Sequence, residues 1–435
     1  MRKGSLSILL LFVCCIHCFS QQGGFVEQRN DRFYVEGKPY RYIGTNYWYG
    51  IYLPLIEDEQ RGIKRLRKEL DFLWQQGVTN LRILAGAEGT GKILGNYRVG
   101  PPLQTAKGVF DTSVLYGLDV LLDEMAKRNM KAVIFFSNNW EWSGGFLQYL
   151  NWNGIISDSV LQNKMEWEKM RDIISQFYTC APCKSDYLKQ VDVVLSRVNS
   201  VNKKKYTDDP TIMSWQIANE PRPMRSISDQ AYKNWIAAVA EHIKSLDKNH
   251  LVSIGHEGEI GTQDFELYKT IHENKNIDYL TIHIWPKNWG WVKADLLKQQ
   301  FQHAIAMTSA YLKKHMKLAY EMKKPLVIEE FGFPRDDMQF DPGTSTSLRD
   351  KYYSYLFSQL TNPKKENAYS RMIAGVNFWS FNGFARPTPG QRFWKSGNDY
   401  MGDPPMEEQS LYGVFDTDTS TWNVIQKHIR LLQKK

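Results

Sequence analysis

The chain has 435 residues, a formal net charge of +8, 42% hydrophobic residues and 13% aromatic residues. This apolar content is ample for a large buried core and excludes an intrinsically disordered chain. The charged residues are spread along the sequence without a basic block, so composition gives no indication of nucleic-acid binding.

The first twenty residues have the pattern of a cleaved export signal. Two basic residues open the segment, an apolar run extends to about Phe19, and the small Ser20 stands before Gln21. The apolar run is too short to span a membrane. We therefore expect a signal peptide at 1–20, a catalytic domain at 21–435 and a secreted or periplasmic protein. A surface lipoprotein is the less favoured alternative, because no cysteine of the signal follows a small residue.

Short β-branched and aromatic runs alternate with longer amphipathic stretches along the rest of the chain. This alternation predicts strands and helices in turn. The predicted strands are YRYIGTNYW (40–48), NLRILA (80–85), KAVIFFS (131–137), TIMSWQIAN (211–219), LVSIG (251–255), YLTIHIW (279–285), PLVIEEF (325–331) and GVNFWSF (375–381). Eight such units predict an α/β fold, a (β/α)8 TIM barrel in a single domain with long active-face loops, particularly between the third and fourth strands.

Two cysteines, Cys180 and Cys183, remain once the predicted signal is removed. Their CxxC spacing is compatible with a redox pair, half of a zinc site or a small disulfide. Export favours the disulfide, as does the absence from residues 21–435 of a second CxxC and of a predicted strand leading into this one. We expect the disulfide between these two cysteines to stabilise a loop.

Polar and aromatic residues gather at the predicted carboxyl ends of the strands, where a TIM barrel builds its active site. These residues are Arg82, Asn138, Asn139, Trp140, Asn219, Glu220, His256, Glu257, His283, Trp285, Glu329, Glu330 and Trp379. Strands four and seven both deliver glutamate, and their ends face each other across the mouth of an eight-stranded barrel. Two carboxylates flanking an aromatic pocket match glycosidic bond cleavage, in which one group protonates the leaving oxygen and the other attacks the anomeric carbon.

Longer blocks of sequence resemble one family of such enzymes. The blocks are GTNYWYG (44–50), NNWEWSGGFLQYLNW (138–152), YTDDPTIMSWQIANEPRP (206–223), IGHEG (254–258), TIHIWPKNWGW (281–291) and IEEFGFPRD (328–336). They resemble the endo-β-1,4-mannanases of glycoside hydrolase family 5, which belong to the retaining enzymes of clan A. The likeness runs from about Gly44 to Trp379 and includes all eight predicted strands.

The resemblance implies a catalytic pair and its supports. Glu220 in the NEP motif would be the general acid/base and Glu330 in the EFG motif the nucleophile. Arg82 would stand near Glu330 and keep it ionised at low pH, while Glu220 stays protonated to higher pH, and His283 would orient the pair. Strand alternation lets only one of two adjacent glutamates point into the mouth, which leaves Glu329 as a structural ion-pair partner.

The resemblance also implies residues that bind the sugar. Asn219 would hydrogen-bond the 2-hydroxyl, and Trp379 would offer a flat face to the sugar at the cleavage point. Trp285 stands where many clan members carry a tyrosine, so we expect it to pack or stack. Trp140 is expected to line the cleft, and Arg222 either to contact an acceptor sugar or to form a loop salt bridge.

The implied activity is endo-acting hydrolysis of β-1,4-mannosidic bonds in mannan, glucomannan or galactomannan, by a retaining double displacement without metal or cofactor. The expected partner is a β-mannan polysaccharide or oligosaccharide, and the expected state is a monomer. Two alternatives stay open. One is another clan A activity, such as a cellulase, an exo-β-mannosidase or a mannobiohydrolase, and the other is a non-catalytic polysaccharide-binding barrel.

Overall fold

The structure is a computed structural model that describes residues 24–362 and 368–434. The predicted signal peptide at 1–20 lies outside the described residues. Within the described part of the chain, no helix combines the length and the apolar character that crossing a bilayer requires.

Eight parallel strands form the central sheet, and each coincides with a predicted strand. They are β1 (Tyr42–Asn46), β2 (Asn80–Leu84), β3 (Lys131–Phe135), β4 (Ile212–Gln216), β5 (Leu251–Ser253), β6 (Leu280–Ile284), β7 (Leu326–Phe331) and β8 (Ile373–Phe378). Consecutive strands are neighbours from β1 to β5 and from β6 to β8, and β1 pairs with β8. Every residue of these strands is buried, which explains why they read as continuous apolar runs.

The sheet closes between β5 and β6 through hydrogen bonds beyond the regular ladder. The backbone N–H of Asp278 donates to the carbonyl of Val252 (2.8 Å), and that of His283 donates to the carbonyl of Glu257 (3.0 Å). The predicted TIM barrel is therefore confirmed. A three-stranded antiparallel sheet packs against the first residues of the barrel strands and caps that end; its strands are Val26–Arg29, Arg32–Val35 and Lys38–Tyr40.

Helices surround the barrel and fill its longer loops. The α-helices are Ile63–Gln76, Val114–Ala126, Gly145–Trp152, Asp158–Gln162, Trp167–Ser175, Ala181–Leu195, Asp229–Leu246, Glu259–Thr262, Phe265–His272, Phe301–Met322, Ser347–Thr361 and Thr419–Gln433. Short paired strands lie in the loops, at Lys92–Ile93, Asn96–Tyr97, Gln104–Ala106, Val109–Phe110, Phe381–Gly383 and Val414–Phe415.

Three long loops shape the carboxyl-terminal face: the second loop (85–113), the third loop (136–211) and the eighth loop (379–418). The third was expected from the sequence, whereas the other two were not singled out. The second and eighth loops meet, because the hydroxyl of Tyr400 donates to the Gly100 carbonyl and accepts from its N–H, both at 3.0 Å. Arg61 Nε also lies 2.9 Å from Asp399 Oδ1 in the eighth loop.

The two cysteines of the third loop are joined by a disulfide, Cys180 to Cys183. Both are buried at the start of the helix Ala181–Leu195, where the Cys183 N–H donates to Cys180 Sγ at 3.2 Å. Neither residue lines the cleft described below.

Candidate active site

Glu220 and Glu330 face each other at the mouth of the barrel. Glu220 follows β4 and Glu330 lies within β7, and both side chains are buried. Carboxylate oxygens of the two residues lie within 4.8 Å of each other. Enzymes that cleave glycosides with retention hold their two carboxyl groups about 5 Å apart, whereas inverting enzymes hold them about 6.5 to 9.5 Å apart.

The backbone after β4 turns sharply to aim Glu220 into the mouth. Glu220 has a φ of 49°, a left-handed conformation that costs a residue other than glycine about 1 to 3 kcal/mol. Its N–H donates to the carbonyl of Gly255 at 2.9 Å, which holds the turn against β5. Pro221 then ends the extended segment.

Two donors hold the Glu220 carboxylate. His283 Nδ1 lies 2.5 Å from Oε1, and the indole N–H of Trp140 donates to Oε2 at 2.5 Å. The same His283 nitrogen lies 3.3 Å from Glu330 Oε2, so the imidazole stands between the two carboxyl groups.

Arg82 forms the floor beneath Glu330. It is fully buried, and its Nη1 donates to the Glu330 carboxylate and to Asn46 Oδ1 (3.2 Å). Its Nη2 donates to Asn219 Oδ1 at 2.8 Å and its Nε to Gln216 Oε1 at 2.7 Å. The guanidinium is thus fixed by neighbours from β1, β4 and β7 before any substrate enters.

Trp285 and Trp379 line the cleft beside Glu330. Their rings meet at 5.8 Å between centroids and 73° between planes. The indole N–H of Trp285 donates to Glu330 Oε2 at 3.3 Å. The expectation that Trp285 only packs or stacks is therefore incomplete, because its N–H also donates to the Glu330 carboxylate.

Arg222 forms the salt bridge that was one of its two expected roles. Its Nε and Nη2 donate to the two carboxylate oxygens of Glu257 at 2.5 and 2.6 Å. Its guanidinium lies 4.9 Å over the Trp140 ring, and the side chain still borders the cleft.

A cleft of about 670 Å³ surrounds the carboxylates. It is lined by Trp140, Trp142, Trp167, Asn219, Glu220, Arg222, Glu257, Ile260, Gln263, Trp285, Asn288, Trp289, Glu330, Trp379 and Glu407. Six aromatic or polar residues of this lining that were not selected from the sequence come from loops. They are Trp142, Trp167, Gln263, Asn288, Trp289 and Glu407, of which Trp142, Asn288 and Trp289 belong to blocks that resemble the mannanases.

Glu407 brings a fourth carboxyl group to the cleft, from the eighth loop. Burial raises its pKa well above the usual range of a glutamate, and Asp403, Glu330 and Glu220 add to the rise. It lies far from any predicted strand, so the strand-end reasoning that found the catalytic pair had no means of finding it.

The two facing carboxyl groups have opposite pKa shifts in the substrate-free protein. Burial raises the pKa of Glu330 to about 7, and Glu220 adds to the rise while His283 and Arg82 oppose it. Burial also acts to raise the pKa of Glu220, but His283 and the other donors outweigh it and the pKa is lowered. These directions differ from the expectation from the sequence, in which Glu330 is the more acidic of the two. Groups this close titrate as a pair, and between the two apparent pKa values the pair holds one proton.

His283 supplies the positive charge that balances the pair. Burial lowers its pKa, but Glu330 and Glu220 outweigh burial and raise it to about 10. The imidazole is therefore protonated throughout the pH range in which the carboxyl pair exchanges its proton.

A family model described as glycoside hydrolase family 5 β-mannosidase-like matches residues 23–435. The chain belongs to this family. Mannan endo-1,4-beta-mannosidase 1 of Oryza sativa subsp. japonica is 28% identical over 98% of this chain and 94% of its own length. Mannan endo-1,4-beta-mannosidase 4 of Solanum lycopersicum is 32% identical, with 65% of this chain and 67% of its own length covered. The predicted family resemblance is confirmed.

A solved structure agrees with this assignment over nearly the whole chain. The family 5 mannosidase from Rhizomucor miehei is 33% identical, with 94% of this chain and 98% of that chain covered, at a TM-score of 0.83. The family 5 hydrolase described here is therefore a glycoside hydrolase with the barrel architecture of its relatives.

Proposed function

We propose that this family 5 hydrolase cleaves β-1,4-mannosidic bonds inside mannan, glucomannan or galactomannan with retention of configuration. The facing carboxylates within 4.8 Å, in a cleft walled by tryptophan rings, carry this proposal. That spacing suits direct attack by one carboxylate and leaves no room for a water between them. The names of the rice and tomato relatives support mannan as the substrate.

In the first step Glu330 attacks the anomeric carbon while Glu220 gives its proton to the departing glycosidic oxygen. The bond to the leaving sugar breaks as the bond to Glu330 forms, which leaves a covalent glycosyl-enzyme. Arg82 and the Trp285 N–H hold the attacking carboxylate in place. Productive turnover therefore requires the single proton of the pair to reside on Glu220.

In the second step Glu220, now ionised, takes a proton from water, and the hydroxide formed displaces Glu330 from the anomeric carbon. Both carboxyl groups return to their starting state, and the sugar keeps its configuration. The Asn219 amide is held by Asn138 at 3.1 Å and by Arg82 at 2.8 Å. We propose that this amide hydrogen-bonds the 2-hydroxyl of the sugar bound at the mouth of the cleft.

Exo action on chain ends is the second candidate, and the wall of the cleft favours it. Trp142 lines the cleft, and its carbonyl accepts a hydrogen bond from the Val99 N–H of the second loop at 2.8 Å. The second loop is joined to the eighth loop, which brings Glu407 to the cleft. A wall built this way closes one side of a groove, and the Rhizomucor miehei relative is named a mannosidase.

The products formed first from mannan distinguish these candidates. A spread of oligosaccharides from mannan, with no products from carboxymethylcellulose, is the expected result for endo-mannanase action. Mannose or mannobiose alone from the earliest time points indicates exo action. Release from carboxymethylcellulose identifies a cellulase, and binding to mannan without hydrolysis identifies a non-catalytic barrel.

We also propose that the protein is exported. Amino-terminal sequencing of the protein secreted by its natural host should then begin near Gln21, and a mature chain that retains Met1 would contradict export with cleavage.

A further inference from the structure

Glu329 lies directly beneath the catalytic pair, on the same strand as Glu330. The side chain is fully buried, and the Gln216 amide N–H group donates to both of its carboxylate oxygens, at 2.8 and 2.7 Å. The Tyr279 hydroxyl donates to Oε1 at 3.4 Å.

A register shift brings two successive glutamates of β7 near one histidine of β6. The pairing of β6 with β7 changes register between Ile282 and His283, so that His283 pairs with Glu330. Successive strand residues normally point to opposite faces, and a bulge is the usual way to redirect a side chain near an active site. Here Glu329 Oε2 lies 4.0 Å from His283 Nε2 and 3.8 Å from Arg82 Nε.

The carboxylates around His283 favour an imidazolium with protons on both ring nitrogens. Nδ1 is directed at Glu220 (2.5 Å) and Glu330 (3.3 Å), and Nε2 is directed at Glu329. Among the described residues, Nε2 is buried and has no hydrogen-bond partner, and the Glu329 carboxylate lies 4.0 Å from it. A neutral imidazole would turn a lone pair toward a carboxylate on one side.

The other charged and titratable groups around this histidine come from neighbouring strands. Arg82 of β2 stands on the far side of Glu330, and Glu257 and His256 follow β5. The charge of Glu257 is already paired with Arg222. The carboxylate available to the Nε2 side of the imidazole is therefore that of Glu329.

We propose that Glu329 is a positioning residue for the reaction. Its carboxylate keeps the Nε2 proton on His283, which holds the ring as an imidazolium oriented toward Glu220. Through Gln216, which donates to Glu329 and accepts from Arg82 Nε (2.7 Å), it also fixes the guanidinium that holds Glu330. A purely structural ion-pair partner would influence neither the protonation of His283 nor the catalytic rate.

The wild-type protein provides the first test, by ¹⁵N NMR of histidine-labelled protein without substrate. The His283 resonances are assigned by their loss in His283→Gln. Both ring nitrogens should be protonated at neutral pH and remain so to about pH 9, as expected for an imidazolium flanked by carboxylates. One unprotonated nitrogen at pH 7 would overturn the inference. The inference rests on the proposed function, but this measurement needs no substrate, so its failure is distinguishable from a failure of that function.

Two variants of Glu329 provide the second test. Glu329→Gln should lower the titration midpoint of His283 by about one pH unit or more, and should lower kcat on an aryl β-mannoside about tenfold or more with little change in KM. Glu329→Asp keeps the charge, so it should keep the midpoint near that of wild type and recover most of kcat. A folded Gln variant with an unchanged midpoint and rate would contradict the proposal.

Glu69→Gln is the matched control for the loss of a buried carboxylate. Glu69 is fully buried and accepts hydrogen bonds from Tyr47, Tyr49 and Arg65 on the outer side of the barrel. Its replacement should lower Tm but leave the His283 midpoint unchanged. If Glu329→Gln does not fold, an unprotonated ring nitrogen of His283 in the wild-type spectrum still overturns the proposal.

Discussion

Glu220 and Glu330 are identical side chains whose neighbours make them unequal. Glu330 rests on Arg82 and the Trp285 N–H, within a strand of the barrel. Glu220 stands at a turn after β4 and is held by Trp140, which borders the cleft, and by the buried His283. A group fixed within the barrel suits attack, and a group at the edge of the cleft suits proton exchange with the leaving sugar and with water.

A substrate with a very good leaving group separates these two roles. Glu220→Ala should lose about 10²- to 10⁴-fold of its activity on mannan, because the leaving alkoxide needs a proton. It should still form the glycosyl-enzyme from an activated aryl β-mannoside, since that leaving group departs unprotonated. The intermediate should accumulate, and azide should restore turnover as a β-mannosyl azide detected by mass spectrometry and NMR.

Glu330→Ala is the matched variant for this experiment. Without the carboxylate nothing attacks the anomeric carbon on that face, so neither a burst nor a β-azide product is expected. If the Glu330 variant were rescued to a β-product instead, the two roles would be exchanged.

The carboxyl pair should give a bell-shaped dependence of kcat/KM on pH. Burial and Glu220 raise the pKa of Glu330 to about 7, and we take this as the upper apparent pKa of the pair. Above it the pair has no proton to give the leaving group, and below the lower apparent pKa the nucleophile is neutral. Activity should therefore fall above about pH 7 and again at acid pH. A rate that stays constant from pH 6 to 9 would contradict this reading, and Glu220→Ala on the activated substrate should lack the basic limb.

At the scale of elements, the sequence predicted what depends on local pattern. All eight barrel strands were identified from continuous apolar runs, and the catalytic pair from the strand ends, because parallel strands place their ends at one edge. The eighth loop and its Glu407 were missed because their position depends on contacts with the distant second loop. The opposite pKa shifts of the two carboxyl groups were not expected from the sequence either, since they depend on distances between His283 and the pair.

The third loop contributes one hydrogen bond to the acid/base, through Trp140. Trp140→Phe keeps an aromatic ring under Arg222 but removes the N–H that donates to Glu220 at 2.5 Å. A hydrogen bond to a charged group is worth about 1.5 to 3 kcal/mol, so kcat on manno-oligosaccharides should fall about 10- to 100-fold. Steady-state kinetics of Trp167→Phe provides the control, because it changes the neighbouring ring but not the donor. Equal effects of the two variants would contradict a role for the indole N–H.

The disulfide of the third loop should affect stability and not catalysis. Closing so short a loop between Cys180 and Cys183 stabilises by about 2 kcal/mol in the chain-entropy description. Cys180→Ser combined with Cys183→Ala should lower Tm by a few degrees and leave kcat/KM on an aryl β-mannoside unchanged. Thermal melts and kinetics of the double variant test this, and a large loss of activity below Tm would show that the disulfide shapes the cleft.

At the scale of the whole molecule, a group of histidines is buried outside the barrel, around Tyr268. The rings of His272, His315 and His256 lie 4.2, 5.0 and 5.6 Å from the Tyr268 ring between centroids. Burial lowers the pKa of His272 to about 3 and of His315 to about 4. The folded protein therefore keeps these rings neutral at pH values where the unfolded chain protonates them.

The stability of the fold should depend on pH through these histidines, and His272 offers a clean measurement. Its ordinary pKa is 6.5, so its contribution to stability is complete above pH 6.5 and is lost as pH falls toward about 3. His272→Leu has no such loss. As pH falls, the free energy of unfolding of the variant should therefore rise relative to that of the wild type, by about 1.4 kcal/mol for each pH unit below 6.5.

The difference between the two free energies of unfolding removes the contribution of buried carboxyl groups, such as Glu88, whose raised pKa has the opposite effect. Urea unfolding of both proteins between about pH 7 and pH 4.5 measures it, with the exposed His303→Leu as the control for loss of an imidazole. A difference that stays constant over this range would show that His272 is protonated in the folded protein.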